Sequence, residues 1–203
     1  MTRFRVITLA GILLMGASGV QAQSRFSLEF RGGPAFATAD LDETALRTGV
    51  GFEFLAGFRL QEHLGAYAGW DWHRFPTDEP FAGDDFDIED TGYAFGLQFR
   101  HPFTDVFGGF VRAGSVYNHI ELENEAGDII ADSGHELGWE AGGGLLFPVG
   151  RNFVLTPGIR YRTYSATLEV NDVKIPVDLS YLAAEIGITW TFGGRTLSAA
   201  RGR

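Results

Sequence analysis

Cysteine is absent from the 203 residues, and lysine occurs once, at Lys174, against 15 arginines. Without cysteine there is no disulfide framework and no thiolate metal or redox chemistry, so burial and hydrogen bonds must hold the fold. A basic surplus is also missing. The formal net charge is −10, which argues against a nucleic-acid partner. No phosphate-cradling loop and no Cys/His metal motif is present. Helical periodicity is scarce, and after residue 22 no run is long and apolar enough for a spanning helix.

The opening MTRFRVITLAGILLMGASGVQA is the exception. Arg3 and Arg5 form a basic start, a short apolar stretch follows, and Val20 and Ala22 sit at the small-residue positions of a signal-peptidase site. Residues 1–22 are therefore expected to be a secretory signal cut after Ala22. Without Arg3 and Arg5 the chain keeps 14 basic against 26 acidic residues, net −12.

What is abundant is glycine (28) and phenylalanine (18), in a period-2 pattern. Eight strands are expected, at about 25–37, 49–60, 64–74, 92–101, 107–119, 135–147, 153–164 and 179–192. Many match the length a tilted strand needs to cross a bilayer. Short connections fall at Gln61-Glu62-His63, at Pro102-Phe103-Thr104-Asp105, and around Pro148 to Asn152. Longer ones are expected at about 38–48, 75–91, 120–134 and 165–178. Strict alternation of short and long connections makes an up-and-down meander with every long loop at one end. An even strand count puts both termini at the other.

The last strand, YLAAEIGITWTF, poses the central question. Leu182, Ile186, Ile188, Trp190 and Phe192 share one face, and Tyr181, Ala183, Glu185, Gly187 and Thr189 the other. In a soluble barrel the apolar face points inward, and in a membrane barrel it points to lipid. The second faces decide. Across the strands they carry Gly and Ala with isolated Glu and Arg, not the Lys, Thr and Ser of a water-washed strand. A small barrel also has little room inside for so many Phe and Trp rings. The expected fold is therefore all-β, an eight-stranded antiparallel up-and-down transmembrane β-barrel.

Parity places Glu29, Glu53, Asp71, Glu136, Glu140 and Glu185 inside, with Arg31, Arg59, Arg100, Arg112, Arg160 and Arg162. Charges in a narrow, poorly hydrated interior need partners. The planar arginine fork suits a confined network better than lysine does. Glu29, Arg31, Glu53, Asp71, Arg112, Glu140, Arg160 and Glu185 are the expected members of an Arg–carboxylate plug. The alternative is separate solvated charges in a water-filled lumen.

Aromatics recur at two heights. Phe26, Phe58, Phe99, Phe103, Phe107, Phe147, Phe153, Trp190 and Phe192 lie towards the short-turn end, and Phe36, Phe52, Trp70, Trp72, Tyr93, Tyr117, Trp139 and Tyr161 towards the long-loop end. Two such girdles flank the apolar band of membrane barrels. With its signal-like start, eight amphipathic strands and aromatic-ended last strand, the chain resembles the OmpA/OmpX-like family of small outer-membrane barrels. GWDWHRF (69–75) and LTPGIRYR (155–162) resemble strands of its porin-like and opacity-type members. The resemblance implies a barrel domain over 23–192 and a short periplasmic tail over 193–203. It also implies that the last strand carries the assembly-machinery signal, with Tyr181, Trp190 and above all Phe192 in that role. GGRTLSAARGR follows Phe192, so the signal is internal here.

The long loops hold 18 of the 26 acids against Arg47 and Lys174. Their densest run, GDDFDIED (83–90), offers Asp84, Asp85, Asp87, Glu89 and Asp90 as weak candidates for a divalent cation, but lacks the order of a dedicated calcium loop. A solvated acidic surface is the plainer reading. His73, His119 and His135 near the loop end, with Asp132, Ser133 and Glu136, suggest a hydrolase or metal site, yet no spacing forces a nucleophile, base and orienter together. The expectation is a monomeric integral outer-membrane protein without enzymatic activity or cofactor. Its partners are outer-membrane lipids and lipopolysaccharide, barrel-assembly machinery and periplasmic chaperones. Its role is structural or surface-facing: envelope integrity, adhesion or contact through the acidic loops. Two alternatives stay open, a porin-like or small hydrophobic-ligand transport channel and a soluble periplasmic lipid-binding barrel.

Overall fold

The structure is a computed structural model that describes residues 25–39, 46–77, 86–124, 129–170 and 173–192. The expected signal and C-terminal tail, with Asp84 and Asp85, lie outside the described residues. The strands are β1 (Phe26–Ala37), β2 (Gly49–Arg59), β3 (Leu64–Pro76), β4 (Phe86–Pro102), β5 (Gly108–Asn124), β6 (Ile129–Asp132), β7 (Glu136–Val149), β8 (Phe153–Val170) and β9 (Val173–Thr191). Neighbours pair antiparallel in the order β4-β3-β2-β1-β9-β8-β7-β5, and β4 pairs β5 to close the ring. Eight strands thus form the barrel wall, and the short β6 continues the pairing along the upper part of β5.

The connections at one end are tight. Leu60 N and Gln61 N donate to Leu64 O at 2.9 Å each. Thr104 Oγ1 accepts from Val106 N and Phe107 N at 3.2 Å. Between β7 and β8 the chain turns through Gly150 at φ +76°, a conformation that favours glycine.

Over the middle of the wall, side chains alternate as the last strand led us to expect. In β9, Tyr181, Ala183, Glu185 and Thr189 are buried, while Leu182, Ile186, Ile188 and Trp190 are exposed. Phe54, Trp70, Tyr93 and Tyr117 stand in one cross-strand row of the outer face. Phe26, Phe99, Phe103, Phe153 and Trp190 stand exposed near the turn end.

Strand length differs from expectation. β4, β5, β8 and β9 run well beyond the band, and β8 and β9 pair as far as Val170↔Val173, where loops were expected at 75–91, 120–134 and 165–178. The reason is an inversion of polarity along single strands. In β4, Tyr93, Phe95, Leu97 and Phe99 face outward, but one turn of the pattern higher Asp87 and Glu89 take that face and Ile88 is buried. β5 switches likewise between Tyr117 outside and Ile120 inside. Outside the band the strands meet water rather than lipid, so acids move out and aliphatics move in.

Phe75, Ile88, Ile120, Leu168, Val177 and Leu179 form the resulting apolar tier within the upper strands, all at most 4% exposed. A smaller apolar cluster, Phe110, Leu146 and Val154 on the adjacent strands β5, β7 and β8, lies towards the opposite end. Between the two the interior is polar.

Candidate functional site

The polar interior is built from inward positions of all eight wall strands. Among the described residues six carboxylates are buried: Glu29, Glu53, Asp71, Asp90, Glu140 and Glu185. Four guanidiniums are buried with them: Arg31, Arg112, Arg160 and Arg162. Arg100, 29% exposed, stands below them 3.6 Å from Glu29. Long, branched side chains reach the centre because the wall positions beside them are small. A Cβ on Gly51 would lie 2.1 Å from the His73 ring, and one on Gly114 2.5 Å from the Tyr67 hydroxyl. The glycines on the inner face therefore make the space that the network fills.

All eight expected network residues lie in this interior. Arg31 donates to Glu29 through Nε at 3.0 Å and to Glu185 through Nη1 at 3.2 Å. Arg112 Nη2 donates to Glu53 at 2.8 Å. Arg160 is the hub: Nη1 donates to Glu53 at 2.7 Å and to Glu140 at 3.2 Å, and Nη2 donates to Glu185. Arg162 donates to Asp71 and, at 2.8 Å, to Glu140. Every carboxylate in this central layer touches at least one arginine, and Glu53, Glu140 and Glu185 each accept hydrogen bonds from two. Tyr67 caps the layer from the side, donating to Glu140 at 2.7 Å under the Arg112 guanidinium.

Sequence reasoning missed part of the upper layer. Asp90, expected in an acidic loop, is buried and accepts from Tyr164 and Tyr181 at 2.8 Å and from Asn118 at 2.7 Å. Asn118 also donates to Asp71 at 2.9 Å. The signal that could have found Asp90 is its parity with Gly92, Ala94 and Gly96, once β4 is extended upward. His73 stands among these groups. Its Nε2 is 3.2 Å from Arg160 Nη2 and its Nδ1 3.2 Å from the Tyr181 hydroxyl. A donor guanidinium at Nε2 places the tautomer's proton on Nδ1. Asp71, His73 and Asp90 have the spacing of a metal triad. Their facing atoms already take up Arg162, Asn118 and two tyrosines, and a cation there would meet the Arg162 guanidinium.

Three expectations are corrected. Arg59 and Glu136 were placed inside by parity but are exposed, since one ends β2 at the lower rim and the other opens β7 at the upper rim. The described acids of the run 83–90 do not gather. Asp87 and Glu89 lie on the outer face, where Asp87 accepts from Arg74 and Glu89 from Trp72, whereas Asp90 points into the lumen. Alternation along β4 puts the wall between them. The contact with Asp87 holds the Arg74 guanidinium above its ordinary pKa.

Of the three expected signal residues, Tyr181 lies inside the lumen, while Trp190 lies on the outer face with its ring 4.3 Å from that of Phe192.

An apolar outer band between aromatic rows, a lumen filled by paired charges and two apolar clusters define a small closed barrel of the membrane-spanning type. Residues 7–192 match the outer membrane protein beta-barrel domain, and the chain belongs to that family. Among solved structures it is similar to Neisserial surface protein A, at 16% identity over 82% of this chain and 97% of that one, with a TM-score of 0.60. It is also similar to a major outer membrane protein of Thermus thermophilus, at 11% identity over 83% and 98% of the two chains, with a TM-score of 0.50. At these identities the likeness is one of fold. No curated protein matches the chain.

Proposed function

We propose that this outer-membrane barrel is a closed, non-conducting, monomeric wall element with a structural and surface-facing role, anchored among outer-membrane lipids and lipopolysaccharide and presenting its acidic upper end to the surroundings. One observation carries this reading. The interior stacks an apolar tier on an ionic tier that is cross-linked from wall to wall, with a smaller apolar cluster beneath it on β5, β7 and β8. Arg160 on β8 reaches Glu53 on β2, Glu140 on β7 and Glu185 on β9. Ions would have to break paired charges that have little water to replace their partners, then cross an apolar constriction.

Delivery by periplasmic chaperones and the barrel-assembly machinery belongs to the same reading, with Phe192 at the end of β9 as the recognised residue. Single-channel recording of the purified barrel in planar bilayers tests it. The expected trace is flat at all voltages, and steady unitary openings would establish the transport alternative instead.

A further inference from the structure

On the outer face of β5, just above Tyr117, stand His119 and then Glu121. Their cross-strand neighbours complete a square. Glu121 pairs with Asp132 of β6. Asn118 pairs with Glu136 at the start of β7, which sets His135 beside His119. Two adjacent strands are needed to supply this edge, and the corner between them is held in place. Gly134 turns the chain at φ +67°, its N–H donating to Asp132 Oδ1 at 2.7 Å. Ser133 N donates to Ile120 O at 3.0 Å, and Ser133 Oγ accepts from Ile120 N at 2.9 Å. The corner thus presents Asp132 and His135 to the same patch of wall.

The contacts within the square are not those of a finished hydrogen-bond network. His119 Nε2 is 3.4 Å from Glu121 Oε1, and Nδ1 is 3.9 Å from Asp132 Oδ1. The His119 side chain is only 15% exposed, and its Nε2 is buried with no hydrogen-bond partner. One donor atom from each of His119, Glu121 and Asp132 lies within 4.8 Å of the other two. The His135 ring is 4.3 Å from that of His119 and 5.0 Å from that of Tyr117. Ligands about 2.0–2.2 Å from a tetrahedral zinc ion stand about 3.3–3.5 Å from one another. The separation between His119 Nε2 and Glu121 is of that size.

We propose that His119, Glu121, Asp132 and His135 form a surface site for a zinc-type divalent transition ion. Two imidazoles select this class over calcium and magnesium, which take oxygen ligands. Glu89 and Glu123 adjoin Glu121 and extend the negative field beside the site. A bound ion cross-links β5, β6 and β7 where the wall passes from lipid-facing to water-facing residues.

The test is calorimetric titration of the untagged, detergent-refolded barrel with zinc sulfate, with magnesium and calcium chlorides as competitors. The expected result is one zinc per chain, undisturbed by excess magnesium or calcium. His119→Ala and His135→Ala should each weaken binding by roughly tenfold or more. Both variants should keep wild-type heat-modifiable gel migration, and where His119→Ala fails to fold, the nearly isosteric Glu121→Gln replaces it with the same expected loss. Absence of saturable binding, unchanged affinity in the variants, or displacement by magnesium at similar concentration would each overturn the site.

Discussion

Arg160 and Glu185 show how much of the molecule rests on individual side chains. Glu185 accepts from both Arg31 and Arg160 and is 4% exposed. Glu185→Leu removes that shared acceptor and leaves two guanidinium edges facing an aliphatic chain. Losing one partner of a buried pair costs about 3–5 kcal/mol, so the urea midpoint of the refolded barrel should fall by that equivalent. The heat-modifiable band should survive, because three other carboxylates still tie the arginines. Adding Arg160→Met should cost less than the sum of the two single losses, since residues in one network are not additive. Glu185 was legible in the sequence because parity alone puts it opposite Ile186 and Ile188. Asp90 was not, because it sits inside a run of acids whose other described members face outward. A local charge count cannot tell the two sides of a wall apart.

Single strands carry two different amphipathic codes in this fold. Within the band apolar side chains point out, and above it they point in, so β4 and β5 change code between neighbouring residues. The band was legible because Gly and Ala alternate there with large apolar and aromatic side chains over many positions. The upper extension was not, since its outward acids and inward aliphatics resemble a polar loop with scattered hydrophobes. The two codes predict that the tiers can be loosened separately. Ile120 is fully buried in the upper tier, and Ile120→Ala should cost about 2–5 kcal/mol. The loss should appear as protease cleavage within the upper extension, while the band stays protected in detergent. Uniform loss of protection along the chain would mean that both tiers unfold together. At the other end of β9, Phe192→Ala should lower assembled yield in cells without changing the urea midpoint of the protein refolded in vitro. That outcome separates a role in assembly from one in stability. Equal cellular yields for wild type and variant would remove the signal role.

At the scale of the whole molecule, the proposed closed barrel sets the ionic tier, the upper apolar tier and the lower apolar cluster as resistances in series, so opening one should not open the barrel. Six buried carboxylates against four buried arginines and the half-buried Arg100 leave the polar tier close to neutral. Because the charges are paired, no ion is needed to balance it, and because they are buried, salt screens them little. Arg160→Ser cuts the links among Glu53, Glu140 and Glu185 but leaves Phe110, Leu146 and Val154 below and the Phe75–Leu179 tier above. Phe75→Ser with Leu179→Ser does the converse, wetting the upper tier while the guanidinium cross-links remain. Neither variant should conduct in planar bilayers. All three substitutions together, with Phe110→Ala to clear the lower end, should give unitary openings in those folded barrels that retain heat-modifiable migration. Steady current through Arg160→Ser alone would show that the apolar tiers do not seal, and that a single ion-pair hub holds the barrel shut.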